Sequence, residues 1–141
     1  MKSPVLTNFC RVYQGLSSGN LSQLNDIYSP DVKFVDAVDT IQGLHALTEY
    51  FEHLYANMKY CRFLIDNVVE QEGEACLIWR MEYAHNKINS GEMITVDGTS
   101  HLKFTDKVYF HRDYVDMGQM LYEHLPLIGR VIKGIKNKVK A

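Results

Sequence analysis

Four charged side chains have the types and spacing needed for acid–base chemistry, namely Asp36, Arg80, Glu82 and Asp113. Arg80 and Glu82 are two residues apart in a predicted strand over 74–85, so alternation puts them on one face. Asp36 and Asp113 fall on the first and last predicted strands. If these faces look into one concavity, three carboxylates and one guanidinium meet among apolar residues.

Such a cluster could move protons. An arginine that bridges two carboxylates orients both through its fork of donors. Two acids close together in an apolar pocket do not ionise together easily, so one tends to keep its proton. The pair then offers a proton donor and a proton acceptor, which is worth about 10²–10⁴-fold in rate. The alternative is a charge network that only holds strands together.

Residues that share these faces are the predicted pocket lining. Phe34 shares a face with Asp36, Ile78 with Arg80, and Tyr109 and His111 with Asp113. Both faces of strand 74–85 are apolar in the middle, so one face should meet helices and the other a partner subunit.

The predicted elements that position these residues are helices first and strands afterwards. One helix begins at Pro4 and ends by Gly19, a short second helix ends before Pro30, and a third follows Gly43. Strands are predicted over 32–38, 61–70, 74–85, 94–104 and 107–117. This order predicts an α+β fold in which N-terminal helices pack on a strongly curved antiparallel sheet around a mostly apolar pocket.

The C-terminal segment differs from the rest in composition. We predict a single domain over 1–127 and a basic amphipathic tail over 128–141. The tail has an apolar stripe at helical spacing, formed by Ile128, Val131, Ile132, Ile135 and Val139. A C-terminal helix with a solvated basic face is the simpler interpretation, and contact with a membrane surface or an anionic partner is the alternative.

Composition excludes several classes of protein. The net charge of −2 argues against nucleic-acid binding. No apolar run reaches the roughly 20 residues that span a bilayer, and the N-terminus has no signal-peptide pattern, so we expect a cytoplasmic protein. Three widely spaced cysteines predict reduced thiols. The histidines show no metal-ligand spacing, and with no phosphate or dinucleotide motif we expect no cofactor.

The order of motifs resembles a known superfamily. Asn20–Leu24, Tyr28–Val32, Asp36 and Ile41-x-Gly43 before a helix are similar to the nuclear transport factor 2-like superfamily, and more narrowly to its SnoaL-like polyketide-cyclase branch. The resemblance covers about residues 5 to 120 and implies a cone-shaped α+β barrel. It also implies a homodimer through the convex sheet face, with an interface formed by Trp79, Met81, Tyr83, Phe110 and Tyr114.

Two enzymes of that superfamily suggest roles for the charged residues. The pattern Arg80-Met81-Glu82, with His111 to Asp116, resembles limonene-epoxide hydrolase. That resemblance implies Asp113 as the base that activates water, Glu82 as the acid and Arg80 as the bridge. Phe34 stands where that family has a water-positioning tyrosine.

Asp36 matches the catalytic base of ketosteroid isomerase, whose oxyanion-hole positions correspond to Val12 and Ser100. The predicted function is therefore that of a pocket protein for a small apolar molecule, acting as an isomerase, cyclase or epoxide-hydrolase-like enzyme. A non-catalytic ligand-binding or dimerisation module is the alternative.

Overall fold

Six strands form one sheet in the computed structural model of the protein, which describes residues 3–140. The strands are β1 (Tyr28–Val35), β2 (Thr40–Gln42), β3 (Met58–Gln71), β4 (Glu74–His85), β5 (Ile94–Phe104) and β6 (Val108–Val115). Their order across the sheet is β2-β1-β6-β5-β4-β3. The pair β1–β6 is parallel and every other pair is antiparallel, so the sheet is mixed.

Five α-helices accompany the sheet: α1 (Pro4–Gln14), α2 (Leu24–Ile27), α3 (Leu44–Ala56), α4 (Met117–Met120) and α5 (Pro126–Lys140). Short 3₁₀ turns occupy Leu21–Gln23, Asn89–Gly91 and Tyr122–His124. Helix α1 packs on β3, and α3 packs on β1 and β3. The predicted α+β fold with N-terminal helices on the sheet is confirmed.

Local sequence explains how the main helices begin and end. Ser3 caps α1 by accepting a hydrogen bond from the Leu6 amide, and Pro4 occupies the first turn. Helix α1 ends at Gly15, earlier than predicted. Gly43 precedes α3 with φ of +89°, a conformation that glycine adopts without strain.

The first strand begins earlier than the sequence predicts, at Tyr28 instead of residue 32, and it contains Pro30. Pairing with β6 is interrupted between Tyr28 and Lys33, so Pro30 lies where no regular ladder is formed. The early start places the buried Tyr28 beside the last strand.

Alternation along β4 decides which side chains face the helices. Leu77, Trp79, Met81 and Tyr83 are buried, whereas Ile78 and Arg80 are exposed. The face that carries arginine and glutamate is therefore the outer face of the sheet, opposite to the prediction.

Candidate functional site

A cavity of about 190 Å³ lies between α3, the inner face of the sheet and α4. Apolar cavities of roughly 150 Å³ hold a benzene-sized ring, so this one has room for a small cyclic molecule. Its wall is mostly aromatic, aliphatic and thioether side chains, and the two carboxylates on it are Asp36 and Asp113. Phe34, a predicted lining residue, is part of this wall.

Helix α4 closes one side of the cavity. Met117, Met120 and Leu121 line the cavity there. The Tyr83 hydroxyl donates a hydrogen bond to the Met120 carbonyl and so attaches this segment to the inner face of β4.

Asp113 is the carboxylate held in place by a buried network. Its side chain is only 12% exposed. Its Oδ1 accepts hydrogen bonds from Ser100 Oγ at 2.5 Å and from His111 Nε2 at 2.6 Å. Within residues 3–140 neither bond uses Oδ2, so one carboxylate oxygen on the cavity wall has no donor from the described chain.

The histidine side of this network ends in a tyrosine. His111 is fully buried, and its Nδ1 lies 2.6 Å from the Tyr28 hydroxyl. In the tautomer whose Nε2 carries the ring hydrogen and donates it to Asp113, Nδ1 accepts from the Tyr28 hydroxyl. Burial, and then the nearby Asp113 charge, raise the pKa of Tyr28 well above its usual value, so Tyr28 remains a donor.

The serine side of the network ends in the one tryptophan of the chain. Trp79 Nε1 donates to Ser100 Oγ at 2.8 Å, and Ser100 in turn donates to Asp113. The indole ring lies over Gly98 on the neighbouring strand, where a Cβ would come within 2.3 Å of ring atom Cη2. Gly98 is therefore required for this position of the ring.

Tyrosine hydroxyls supply the other polar atoms of the cavity. Tyr13, Tyr50 and Tyr55 line it, and burial is the main cause that raises the pKa of each well above its usual value. They therefore stay protonated, and the Tyr50 hydroxyl donates its hydrogen to Asp36. Burial also raises the pKa of the Cys61 thiol to about 11, so this cavity cysteine is not a thiolate nucleophile.

Asp36 lies on the cavity wall in a different environment from Asp113. Its Oδ1 accepts from the amides of Val38 and Asp39, both at 2.9 Å, and its Oδ2 accepts from the Tyr50 hydroxyl. Both oxygens are thus used to hold the loop after β1, whereas Oδ2 of Asp113 accepts no hydrogen bond from the described residues.

Arg80 and Glu82 do not join the two cavity carboxylates. Arg80 makes a two-pronged salt bridge with Asp66 at 3.0 Å, and Glu82 pairs with Arg62 at 2.7 Å. These ion pairs lie on the outer face, away from Asp113, so the bridged acid pair implied by the epoxide-hydrolase resemblance does not form. The physical reason is that cross-strand partners on β3 satisfy both charges in solvent.

The five other predicted lining residues do not line the cavity. Val12 is buried in the core off the cavity wall, because the neighbouring Tyr13 points there instead. Ile78 is on the outer face. Tyr109 is exposed because the β5–β6 register shifts between Lys103 and Phe104 and breaks the alternation.

Ser100 is buried behind the wall and acts through Asp113. His111 likewise touches the cavity only through Asp113.

The predicted dimer interface is wrong for three of its five residues. Trp79, Met81 and Tyr83 are buried on the inner face, and Trp79 and Met81 line the cavity. Tyr114 is exposed on the outer face. Dimerisation itself stays a prediction.

Three residues that build this site are not identified from the sequence, namely Tyr28, Trp79 and Gly98. Tyr28 falls at the end of the predicted second helix, and Trp79 is predicted on the convex face of the sheet. Gly98, directly opposite Trp79 on β5, was the available signal, because a glycine inside a strand often marks a close approach of a large ring.

No group of three or more His, Cys, Asp or Glu within residues 3–140 is placed to hold a metal ion. Among the helices of that part of the chain, none combines the length and the apolar character that a membrane crossing requires.

The model of the SnoaL-like domain family matches residues 9–111, and the chain belongs to that family. The match ends just before Asp113. No curated protein matches the sequence.

Solved structures share the fold at low identity. A protein described as a SnoaL-like polyketide cyclase from Jannaschia sp. CCS1 has a TM-score of 0.71 and 15% identity, over 83% of this chain and 91% of that chain. A nuclear transport factor 2-like protein of unknown function from Burkholderia pseudomallei has a TM-score of 0.75 and 14% identity, over 84% of this chain and 95% of that chain. TerC, crystallised with polyporic acid, has a TM-score of 0.70 and 19% identity, over 82% of this chain and 93% of that chain. These likenesses confirm the nuclear transport factor 2-like fold.

Proposed function

We propose that the cavity binds a small, largely apolar carbonyl compound and that Asp113 transfers a proton on it, as an isomerase or a cyclase would. The observation that carries this proposal is a nearly buried carboxylate on an apolar wall, fixed through one oxygen and free of described donors at the other. General-base catalysis needs a carboxylate that is oriented but still able to accept a proton.

The proposed step conserves protons. Oδ2 of Asp113 takes a proton from the carbon next to the carbonyl, and the electron pair of that C–H bond forms an enolate. Asp113 then returns the proton to a different carbon, which moves a double bond. In ring closure, the enolate carbon attacks a second carbonyl in the same molecule and the new alkoxide takes the proton.

Tyr13 is the residue that we propose as the hydrogen-bond donor to the carbonyl oxygen in this step. Tyr13 lies on the same wall as Asp113 and keeps its hydroxyl hydrogen. A hydroxyl donor aimed at the carbonyl oxygen stabilises the charge that develops on it. His111 and Ser100 are positioning residues, since they fix the base without reaching the cavity.

Ligand occupancy and proton transfer are measured separately. Trp79 lines the cavity and is the only tryptophan, so quenching of its fluorescence reports binding of small cyclic ketones. Proton transfer on the bound ketones is followed by NMR as incorporation of deuterium from D₂O. We expect Asp113→Asn to lower the exchange rate by about 10²–10⁴-fold.

Two variants serve as controls. Asp106→Asn changes an exposed turn carboxylate, and Arg80→Gln changes the outer-face arginine. Both should exchange at wild-type rates. Exchange that survives in Asp113→Asn, or that is lost in Arg80→Gln, contradicts the assignment.

A non-catalytic binding module is the second candidate. The observation that favours it is the complete pairing of the buried network, which by itself stabilises the inner face. In that case the ketones quench Trp79 equally in wild type and Asp113→Asn, and neither protein exchanges protons.

A further inference from the structure

Helix α5 exposes an apolar surface that the rest of the molecule does not cover. Its exposed apolar residues are Leu127, Ile128, Val131, Ile135 and Val139, with exposures between 51% and 80%. At about 100° per residue these five side chains fall within an arc of about 120°. We call this surface the α5 stripe.

The opposite flank of α5 is fixed to the domain. Gly129 is buried against the 3₁₀ turn before the helix, where a Cβ would lie 2.7 Å from the Glu123 carbonyl oxygen. Lys136 reaches back to Glu123 at 3.0 Å and to Asp116 at 3.7 Å. These contacts set the rotation of the helix, so the exposure of the stripe follows from its attachment to the domain.

The charge of α5 indicates which kind of partner the α5 stripe would contact. Helix α5 carries five basic residues and no acidic ones, whereas the remaining chain has ten basic and seventeen acidic residues. Pairing two α5 helices would bring two segments of like net charge together, and their mutual repulsion disfavours a dimer built on this helix. An anionic surface attracts the same charges, and an apolar arc beside basic side chains is typical of helices that lie in a lipid–water interface.

We propose that α5 docks on anionic membrane surfaces, with the α5 stripe inserted among the lipids and the basic residues near the head groups. The helix lies along the surface, because no described helix can cross a bilayer. The preceding α4 forms a wall of the cavity, so docking holds that wall close to the lipid. The inference does not depend on the chemistry of Asp113.

The test uses full-length protein and sedimentation with vesicles. Vesicles of phosphatidylcholine mixed with phosphatidylglycerol should bind the protein, vesicles of phosphatidylcholine alone should bind it weakly, and added salt should weaken the anionic case. The double variant Val131→Gln/Ile135→Gln should bind anionic vesicles with an affinity lower than that of wild type by about tenfold or more. Glutamine is a good helix former, so the fold should persist, and circular dichroism checks this.

Met93→Gln is the matched control, because Met93 is an equally exposed apolar residue outside α5. It should bind as wild type does. The charge variant Arg130→Gln/Lys138→Gln, which removes the two basic residues nearest the stripe that form no ion pair with the domain, should weaken the preference for anionic vesicles.

Three results overturn the proposal. One is the absence of wild-type binding to anionic vesicles at low salt. Another is unchanged binding by the stripe variant. The third is a wild-type dimer in light scattering that becomes monomeric in the stripe variant, which would assign the stripe to a second copy of the chain.

Discussion

The two faces of β4 show how neighbouring residues come to serve different purposes. On the inner face, Trp79 joins a network of hydrogen bonds around Asp113. On the outer face, Arg80 pairs with Asp66, and both side chains are nearly half exposed. The difference teaches that the pairing partners of a charged residue, and not its type alone, decide whether it faces the cavity or the solvent.

The carboxylates of Asp66 and Asp113 differ in the same way. The hydrogen bond from Arg80 lowers the pKa of Asp66, so the pair contributes to stability above the ordinary carboxyl pKa, and the contribution is lost as the pH falls through the lowered value. Solvent screens such exposed pairs, and they contribute little. Asp113 has no cationic arginine partner among the described residues and lies on the cavity wall.

The largest expected effect comes from two adjacent residues of nearly equal volume on opposite faces. Leu77→Ala should lower the free energy of unfolding by about 3 kcal/mol, because Leu77 is 1% exposed and its loss leaves a core cavity. Ile78→Ala, at a site 40% exposed, should cost about 1 kcal/mol or less. Urea denaturation measures both, and equal costs would contradict the assignment of faces.

A smaller effect separates a buried tyrosine from an exposed one. Tyr28→Phe removes the donor to His111 and leaves Nδ1 unpaired in the core, which should cost about 1–3 kcal/mol. Tyr109→Phe changes an exposed hydroxyl and should stay within about 0.5 kcal/mol of wild type. Thermal and urea unfolding measure the stability of both variants. A Tyr28→Phe protein as stable as wild type would show that the buried hydrogen bond is not needed.

The smallest expected effect is a difference in rate between two cysteines. Cys61 lines the cavity with a pKa raised to about 11, whereas Cys76 lies on the outer face of β4. Near pH 8, iodoacetamide should modify Cys61 about tenfold more slowly than Cys76, since only the thiolate reacts. Peptide mass spectrometry over time gives both rates, and faster reaction at Cys61 would refute the buried thiol.

Much of the fold was predictable because hydrophobic periodicity changes clearly along the chain. Strands β4 and β5 have the predicted bounds, and α3 follows Gly43 as expected. The parallel β1–β6 pair was not predictable, because the two strands are distant in sequence and nothing local marks their partnership. The three-residue strand β2 was missed because it is too short to show alternation.

The candidate site was harder to predict than the fold. Alternation correctly grouped His111 with Asp113, but it gives only relative faces, and both faces of β4 have apolar centres. The predicted cluster depends on the face with Arg80 and Glu82 looking into the concavity, whereas their partners on β3 hold both side chains on the outer face. Tyr109 was misplaced by a bulge, which changes the face of one residue without a clear sequence signal.

The pairing of β1 with β6 also governs when the site can come into existence. Tyr28 and His111 are separated by 83 positions. During synthesis β1 therefore cannot pair with β6 until nearly the whole domain has left the ribosome. Contacts between such distant segments form late and slow the folding reaction. A nascent chain that stops before residue 108 has no partner for that edge of β1, so the Tyr28–His111–Asp113 hydrogen-bond network forms only after β6 has been made.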